Sequence, residues 1–496
     1  MLANISAYRK YRLLEMIPGA LIWLTLLGGL LLTFIKPLSM VYVIIIFDFY
    51  WMIKMIYLST FLVISYYRYR VVMRIDWQKR CLTIPASKQI YHLVMIPNST
   101  ESISVIKSTL TSLANTTFPK DRIIIAFAAE ERYPNSIANG LTMQKIYQDV
   151  FQNFHIAIHP QNIPGELASK GANLNWAGRQ VKQQIIDKEN IPYENIIVSI
   201  LDADTCVDCQ YFSYLTWVYC HEPNRTQASY QPIPMFNNNI WDAPAIMRVA
   251  AMGTTFWLMQ EQVRPERLFT FSSHSMSFVA LVAVDWWETD AISDDSRIFL
   301  QCFLHYQGNY RVVPLHMPVY MDTVLADGWW KSLKNLYYQQ RRWACGSENI
   351  PYMLWFFWNN HKIAWQKRLY HLFNQIEGMW SWGTTSLIIF IFGYLPLYLL
   401  NPIEHNTVIA TNAPYIMKIC LTIANIGLIL AVILGTLLLP KRPQQYQSTK
   451  YITMLLQWAL LPISMIIFGT LPAIEAQTRL FLGKYLGFYI TEKTRK

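Results

Sequence analysis

The hydrophobic pattern divides the chain into two strongly apolar ends and a central part of mixed polarity. Five apolar segments form the ends: residues 16–35, 38–66, 380–400, 415–439 and 452–471. Each is long enough to cross about 30 Å of hydrocarbon as a helix. Pro462 interrupts the last segment and Pro472 follows it, which favours a re-entrant or interfacial element there. The pattern predicts two transmembrane helices before the central part and about three transmembrane or re-entrant helices after it.

The central part, residues 67–350, alternates short apolar runs with segments of helical spacing, which is typical of a globular α/β domain. Strands are predicted at residues 89–96, 122–127, 154–158 and 196–201. Between the first two strands, apolar residues recur every three or four positions from Ile103 to Leu113, which predicts a helix. Strands that alternate with helices predict a parallel sheet of the nucleotide-binding kind, with its ligand site at the carboxyl ends of the strands.

Composition and charge indicate a membrane protein. The 496 residues are 53% hydrophobic and only 15% charged, which is too apolar for an ordinary soluble protein. Arg9 and Arg12 precede the first apolar segment, and Arg68 and Arg70 follow the second. By the positive-inside rule, these residues predict a multi-pass protein of the inner or plasma membrane whose central domain lies in the cytoplasm. Seven scattered cysteines favour free thiols in a reducing compartment over a disulfide framework.

The domain organisation follows from these patterns. The predicted parts are two N-terminal transmembrane helices (1–66), a cytoplasmic domain (67–350), an amphipathic interfacial helix (351–375), about three C-terminal transmembrane or re-entrant helices (376–475) and a basic tail (476–496). The interfacial helix is expected because residues 351–371 combine aromatic, apolar and basic side chains. Three complete C-terminal spans would leave the basic tail outside, whereas a re-entrant last segment keeps the tail in the cytoplasm.

Two aspartates directly follow the fourth predicted strand. Residues 196–201 are apolar and β-branched, as in a strand buried on both faces, and Asp202 and Asp204 come at its carboxyl end. Two carboxylates one residue apart offer the hard oxygen ligands of a Mg²⁺ or Mn²⁺ ion that in turn holds a diphosphate. An acidic turn that only closes the strand is the alternative.

A segment rich in glycine, residues 165–175, precedes that strand and opens a predicted helix. In it, Lys170 is followed by Gly171 and Asn173, and a lysine at a helix amino terminus makes an anion site. A solvated lysine is the alternative. The position of the segment between the second predicted strand and Asp202 favours the anion site.

Two further motifs lie near the end of the central part. Asp294 and Asp295 are adjacent carboxylates that repel each other, so burying both requires hydrogen-bond donors or a metal ion, unless they only favour a helix amino terminus. Gln339, Arg342 and Trp343 fall on one face of a predicted helix. Their amide, guanidinium and flat ring suit a sugar or a diphosphate, and a basic helix that contacts anionic lipid is the alternative.

In this order, the motifs resemble those of the membrane-embedded family-2 glycosyltransferases, which include cellulose, chitin, poly-N-acetylglucosamine and hyaluronan synthases. The resemblance covers residues 89–345 and, less specifically, the flanking membrane segments. Its motifs are Pro97 to Glu101, Glu130 or Glu131, Lys170-Gly171 with Asn173 and Asn175, Asp202 and Asp204, Ser293-Asp294-Asp295, and Gln339 with Arg342 and Trp343. Asp294 stands where the family usually has Glu, and the Phe-x-Gly-Ser loop of cellulose synthases looks like residues 271–275 here. These two departures leave the acceptor and the polymer open.

The resemblance implies an α/β GT-A (Rossmann-like) cytoplasmic glycosyltransferase domain inserted between N- and C-terminal transmembrane helices. It also implies an inverting sugar transfer in which Asp295 is the catalytic base and Asp204, with Asp202, holds Mg²⁺ or Mn²⁺. The implied nucleotide and donor residues are Pro97, Glu101, Glu130, Glu131, Lys170 and Asp202. The implied acceptor and diphosphate residues are Asp294, His274, Gln339, Arg342 and Trp343.

The expected function is therefore extension of a polysaccharide at the membrane from a nucleotide-diphosphate sugar, with a UDP-sugar and coupled export favoured. The expected partners are that donor, a saccharide or lipid-linked acceptor and the lipid bilayer, and no nucleic acid. One alternative is a non-processive transferase that adds a single sugar to a lipid carrier or glycolipid. A membrane receptor or transporter with a degenerate nucleotide-binding domain is disfavoured, because no carboxylate of the motifs is missing. A glycoside hydrolase is disfavoured because it needs no metal-binding pair at a strand end.

Overall fold

The computed structural model describes residues 5–358, 360–487 and 489. Within them, the central domain is built on one eight-stranded sheet. The strands are β1 (Tyr91–Pro97), β2 (Ile123–Glu130), β3 (Asn153–His159), β4 (Ile196–Ile200), β5 (Cys206–Val207), β6 (Ala228–Met235), β7 (Ser275–Ser277) and β8 (Arg311–Tyr320). Their order across the sheet is β3-β2-β1-β4-β7-β6-β8-β5.

Parallel pairing joins the first four strands, and β6 also runs parallel to β8. The short strand β7 lies antiparallel between β4 and β6, and β5 pairs antiparallel with β8. The predicted strands within residues 89–201 correspond to β1 to β4, so this half of the fold prediction is confirmed. The other four strands were not predicted, because β5 and β7 are two and three residues long and β6 and β8 each contain two prolines.

The helices of the described chain are α1 (Ile5–Ile35), α2 (Pro37–Val72), α3 (Trp77–Leu82), α4 (Ile103–Ala114), α5 (Pro134–Tyr147), α6 (Lys170–Val181), α7 (Tyr211–His221), α8 (Ala245–Glu261), α9 (Phe278–Ala283), α10 (Asp294–His305), α11 (Trp329–Ala344), α12 (Asn349–Trp358), α13 (Trp365–Leu387), α14 (Leu395–Tyr398), α15 (Pro402–His405), α16 (Val408–Leu437), α17 (Lys450–Leu456), α18 (Leu461–Ile463) and α19 (Leu471–Phe481). The helix predicted from Ile103 to Leu113 is confirmed as α4.

The sheet is buried on both faces, which explains why its parallel strands are continuous apolar runs. On one face, Leu93 of β1 and Val198 of β4 belong to an apolar cluster with Leu174 of α6. On the other face, Val94 of β1 and Ile197 of β4, each adjacent in sequence to one of these strand residues, belong to a second apolar cluster with residues of α4 and α7. This two-sided core holds the carboxyl ends of β1 to β4 at one edge of the sheet.

Within the part of the chain that the structure describes, five helical segments are long and apolar enough to cross a membrane: Tyr8–Ile35, Pro37–Val72, Trp365–Tyr398, Val408–Leu437 and Lys450–Phe481. The third includes a π-helical stretch that continues α13 towards α14, and the fifth joins α17, α18 and α19 through 3-10 and π-helical turns.

The single helix expected over residues 351–371 is wrong. The structure has α12, which ends at Trp358, and then α13, which begins at Trp365 and extends to Leu387. Between them, Asn360 accepts a hydrogen bond from the backbone N–H of Lys362 through its side chain (3.2 Å), which favours a turn over a continuous helix. Residue 359 and the basic residues Lys493, Arg495 and Lys496 of the predicted tail lie outside the described residues.

The last helical segment, Lys450–Phe481, contacts the central domain at three places along its length. At its start, the side chain of Gln457 accepts a hydrogen bond from Arg248 of α8 (2.5 Å). Further along, Phe468 belongs to an apolar cluster with Met247 of α8. Near its end, Glu475 accepts a hydrogen bond from Arg341 of α11 (2.6 Å). This segment therefore contacts the globular domain between Gln457 and Glu475.

The two ends of the described chain also meet. Arg12, in the first turns of α1, donates hydrogen bonds to the backbone carbonyls of Leu480 (2.8 Å) and Phe481 at the end of α19. The hydroxyl of Tyr485 donates to Glu15 of α1 (2.7 Å). The beginning of α1 and the end of α19 therefore lie side by side.

Candidate active site

Four parallel strands bring polar residues to one edge of the sheet. Pro97, Glu130 and His159 are the last residues of β1, β2 and β3, and Asp202 follows β4 by two positions. The register pairs Pro97 with Ala128 and Glu130 with His159, so the strand ends lie next to one another. This is the edge at which open α/β sheets bind ligands.

Lys170 lies at the centre of this edge. It is the first residue of α6, whose amino terminus is capped by the side chain of Ser169. Its ammonium donates to Asp202 Oδ1 (2.7 Å) and to both carboxylate oxygens of Asp295 (3.0 and 3.2 Å). Burial disfavours the charged ammonium, but the carboxylates of Asp202, Asp295 and Asp294 outweigh burial and raise the pKa of Lys170. The lysine thus stays cationic and joins two acidic motifs.

The Asp-x-Asp pair is held by residues from distant parts of the chain. Asp202 Oδ2 accepts a hydrogen bond from the hydroxyl of Ser272 (2.5 Å). Asp204, which is buried, accepts through Oδ2 from the backbone N–H of Asp322, two residues after β8 (2.9 Å). The described residues include no group of three or more His, Cys, Asp or Glu side chains that could hold a metal ion by themselves.

The second acidic pair begins α10. Asp295 is partly exposed towards Lys170, whereas Asp294 is buried and its Oδ2 has no hydrogen-bond partner among the described residues. Burial and the neighbouring Asp295 raise the pKa of Asp294 to about 7. Gly171 explains how α6 and α10 approach so closely, because a Cβ at this position would lie 3.0 Å from Cβ of Asp294. A side chain at this position would therefore crowd Asp294 and the backbone of Glu288.

The raised pKa of Asp294 predicts a pH-dependent stability. Because the folded state binds this proton more tightly than the unfolded chain, the contribution of Asp294 is complete below its ordinary pKa of 3.8 and is lost as the pH rises through about 7. Asp294→Asn, which imitates the neutral acid, is expected to reduce the fall in melting temperature between about pH 5 and pH 8. The exposed Asp290→Asn serves as control, and an unchanged pH dependence in Asp294→Asn would contradict the prediction.

His274 lies beside the acidic pair in the loop that precedes β7. The residue is fully buried, and its Nδ1 is 2.9 Å from the carbonyl oxygen of Phe271 and 3.7 Å from Oδ1 of Asp295. Burial lowers the pKa of His274 more than the Asp295 carboxylate raises it, so the imidazole is neutral. The hydroxyl of Thr270 donates to the backbone carbonyl of Asp295 (2.6 Å), which fixes the same loop against α10.

The three residues predicted to share a helix face are on α11. Gln339 is buried and lines a small cavity together with Trp343 and Asp322. The ring of Trp343 packs against Phe236 with the ring centroids 5.9 Å apart. The positive charge of Arg342 acts on Asp294, where it lowers the pKa against the effects of burial and Asp295. Gln339 and Trp343 thus lie near Asp322, whose backbone N–H binds Asp204, and Arg342 acts on Asp294.

Glu130 and Glu131, between which the sequence did not decide, have different surroundings. Glu130 is buried and pairs with Arg132 (2.6 Å between Oε2 and Nε), and burial raises the pKa of Glu130 despite this partner. Glu131 lies beyond the strand, where its Oε2 accepts from the backbone N–H of Gln161 (2.9 Å). Glu101 accepts from the backbone N–H of Ser99 (2.8 Å) and so stabilises the turn after β1.

Sequence reasoning did not single out several polar residues of this edge. A cavity at the ends of β2 and β3 is lined by Arg132, His159 and Glu166, and His159 Nε2 is 3.0 Å from Oε2 of Glu166. Asp322 was also missed, because it follows β8, which was not predicted. His159 could have been found from the sequence, since it directly follows the predicted strand 154–158 and therefore comes at the ligand-binding edge of the sheet.

Comparison with known proteins identifies the family. The profile described as Glycosyl transferase family group 2 matches residues 197–471, which is more than half of the chain and includes the Asp-x-Asp motif, the second acidic pair and α11. The chain belongs to this family. No curated protein matches the sequence. The match and the mixed sheet confirm the predicted α/β GT-A fold class with membrane-type helices at both ends, and glycosyltransferase as the class of enzyme.

Among solved structures, the chain is similar to the mannosyltransferase PcManGT from Pyrobaculum calidifontis in complex with GDP-Man and Mn²⁺. The identity is 14% and the TM-score 0.38, over 83% of this chain and 98% of that chain. It is also similar to residues 1–349 of S. aureus TarS in complex with UDP-GlcNAc, with 13% identity and a TM-score of 0.35 over 71% of this chain and 93% of that chain. The family assignment rests on the profile match, since these TM-scores are too low to add to it.

Proposed function

We propose that this family-2 glycosyltransferase uses a nucleotide-diphosphate sugar, in first place a UDP-sugar, to extend a polysaccharide at the membrane with inversion at the anomeric carbon. The observation that carries this proposal is the position of Lys170, whose ammonium lies between Asp202 and Asp295. This position supports a site in which Asp202, proposed to face the donor, and Asp295, proposed to face the acceptor, are joined by one ammonium.

In the proposed reaction, the acceptor hydroxyl attacks the anomeric carbon and the bond from that carbon to the diphosphate oxygen breaks. Asp295 takes the proton of the acceptor hydroxyl, a general-base contribution of about 10²–10⁴-fold. Lys170 and Arg342 offset the negative charge that develops on the departing diphosphate. Asp294 is buried and its pKa is raised to about 7, so near neutral pH it carries less negative charge than an ordinary aspartate, and it takes no part in the proposed proton transfer.

A divalent cation fits the carboxylates at the end of β4. Mg²⁺ is usually bound by one or two carboxylates together with substrate phosphates, and Asp202 and Asp204 offer such a pair without a third protein ligand. Asp204, with Asp202, would hold Mg²⁺ or Mn²⁺, which supplies positive charge to the diphosphate leaving group.

The connection of α11 to the membrane helices supports a membrane-bound acceptor. The helix presents Gln339 and Trp343 to the cavity on one side. On another side it contacts α19, where Arg341 and Tyr337 both donate to Glu475 (2.6 and 2.9 Å). The helix that carries Gln339 and Trp343 is thus joined directly to α19.

The same contacts support a topology with four crossings. Arg12 at the start of α1 contacts the end of α19, so both ends lie on one side of the bilayer and the number of crossings is even. Of the five apolar segments, Lys450–Phe481 is the one that contacts the domain at both ends, through Gln457 and Glu475. We therefore assign this segment to the interface, with the domain and both ends in the cytoplasm, as the basic residues before α1 favour.

The proposed function is tested with the purified full-length protein in detergent or lipid. Incubation with a panel of UDP-, GDP- and other nucleotide sugars, with Mg²⁺, Mn²⁺ or a chelator, is followed by separation of the products by size. A ladder or a long polymer from one donor is the expected result. A single added sugar on a lipid fraction would replace the polymer proposal, and no transfer with any donor would contradict the function.

Trp343 is expected to provide a platform for the acceptor sugar. Trp343→Ala removes about 150–250 Å² of aromatic contact area and is expected to lower transfer about tenfold while sparing the slow hydrolysis of the donor by water. Because the ring also packs against Phe236, melting temperature is measured on the same preparation. Trp330→Ala, an exposed tryptophan on the same helix, is the matched control. Equal loss of both activities together with a lower melting temperature would assign Trp343 to packing alone.

A further inference from the structure

The amino terminus of α10, which carries Asp294 and Asp295, is bound by a glutamate from another part of the chain. Oε1 of Glu348 accepts hydrogen bonds from the backbone N–H groups of Ile292 (3.1 Å) and Ser293 (2.9 Å) and from the hydroxyl of Ser293 (2.7 Å). Ser293 is the N-cap residue of α10, yet its hydroxyl makes no capping bond within the helix. The carboxylate of Glu348 therefore fixes the turn immediately before the acidic pair.

The next residue continues this attachment into the first turn of α10. Asn349 donates through Nδ2 to the hydroxyl of Ser296 (2.8 Å) and accepts through Oδ1 from Nε of Arg297 (2.8 Å). Arg297 is itself buried, donates to Glu288 (2.9 Å) and lies 3.9 Å from the ring centroid of Tyr352. The first turn of α10 is thus hydrogen-bonded to Asn349 and Glu288, neither of which contacts Lys170 through a hydrogen bond given above.

Glu348 also lies close to the end of α11 in the sequence. It ends the 3-10 turn Cys345–Glu348 that follows α11 directly, only five positions after Trp343. One side chain therefore links the end of the helix that carries Arg342 and Trp343 to the beginning of the helix that carries Asp295.

We propose that Glu348 is a positioning residue that sets the distance between the proposed base Asp295 and the acceptor platform on α11. This inference rests on the proposed function, in which Asp295 accepts the proton of an acceptor hydroxyl. Glu348 takes no part in the chemistry itself, because its Oε1 is occupied by the turn at Ser293. Displacement of a reacting group by about 1 Å can cost about 100-fold in rate, so a loosened turn is enough to slow transfer.

The test compares Glu348→Ala, Glu348→Gln and Ser293→Ala in the full-length protein. Glu348→Ala is expected to lower kcat for transfer by about 100-fold without changing donor affinity measured by calorimetry. Glu348→Gln retains an acceptor oxygen for the turn and is expected to restore most of the rate. Glu222→Ala is the matched control, since it removes a buried glutamate that pairs with the exposed Arg311 at the opposite edge of the sheet.

A purely structural role predicts a different result, in which Glu348→Ala and Glu222→Ala lose melting temperature and donor affinity alike. That result, or a kcat of Glu348→Ala equal to that of the parent, overturns the proposal. If Glu348→Ala does not fold, Ser293→Ala decides, because it removes one donor of the turn and must still lower kcat without lowering donor affinity. If the parent protein transfers no sugar from any donor, the proposed function fails and the positioning role fails with it.

Discussion

Asp295→Asn is expected to lower sugar transfer by about 10²–10⁴-fold while donor affinity stays close to that of the parent. The reason is that a base acts on the proton of the acceptor and not on the donor. Asn keeps an oxygen atom that can accept from Lys170, whose ammonium lies 3.0 Å from Oδ1 of Asp295. Because the side chain is partly exposed and of equal size, the fold should be retained.

Binding and turnover are measured separately for this variant, by calorimetry with the donor and by product formation at saturating donor. The exposed Asp290→Asn, a few residues before α10, controls for the loss of one negative charge near the site. Donor affinity that collapses together with activity would contradict the assignment, and Asp295 would then belong to the metal or phosphate site.

Asp204→Asn is expected to lower transfer by about 10²–10³-fold or more and to abolish the metal dependence of donor binding, because it removes a charged ligand without removing bulk. Asn retains an oxygen atom that can accept from the backbone N–H of Asp322, which now binds Oδ2 at 2.9 Å. The loop after β8 should therefore stay in place, and the melting temperature should change little.

The measurement is a titration of Mg²⁺ and Mn²⁺ in the presence of donor, for the parent, Asp204→Asn and Asp121→Asn. Asp121 is exposed and lies just before β2, at the opposite edge of the sheet, so its loss should change neither metal nor donor binding. Transfer by Asp204→Asn at the parent rate and at the same metal concentration would show that Asp204 is no metal ligand.

The sequence allowed the parallel half of the sheet to be predicted because burial on both faces leaves a continuous apolar run. β1, β2 and β4 all show it, and each ends in or near a polar residue such as Glu130 or Asp202, whereas β3 at the edge of the sheet alternates apolar and polar residues. The other half of the sheet, β5 to β8, had no such signal. β6 contains Pro232 and Pro234, and β7 is only three residues long, so the local sequence predicts a strand at neither position.

The roles of the site residues stay predictions, but their positions became specific only with the fold. Lys170 and Asp295 are 125 positions apart, and no local pattern indicates that one ammonium contacts both Asp202 and Asp295. Glu348 gave no signal at all, since a glutamate after a helix is ordinarily a solvated residue. Its function as an acceptor for the turn at Ser293 depends on how α11 and α10 pack.

The amino-acid sequence by itself determined the apolar segments, the four parallel strands, the order of the acidic motifs and the class of enzyme. The segments and strands follow from local composition and spacing, which reflect whether a residue is buried, whereas the class of enzyme came from the resemblance of the motifs to a known family. The tertiary structure alone decided that Gly171 lies tightly against Asp294, and that Lys450–Phe481 contacts the domain. An apolar helix has the same composition whether it faces lipid or protein, so only its contacts, such as that of Glu475 with Arg341, distinguish the two.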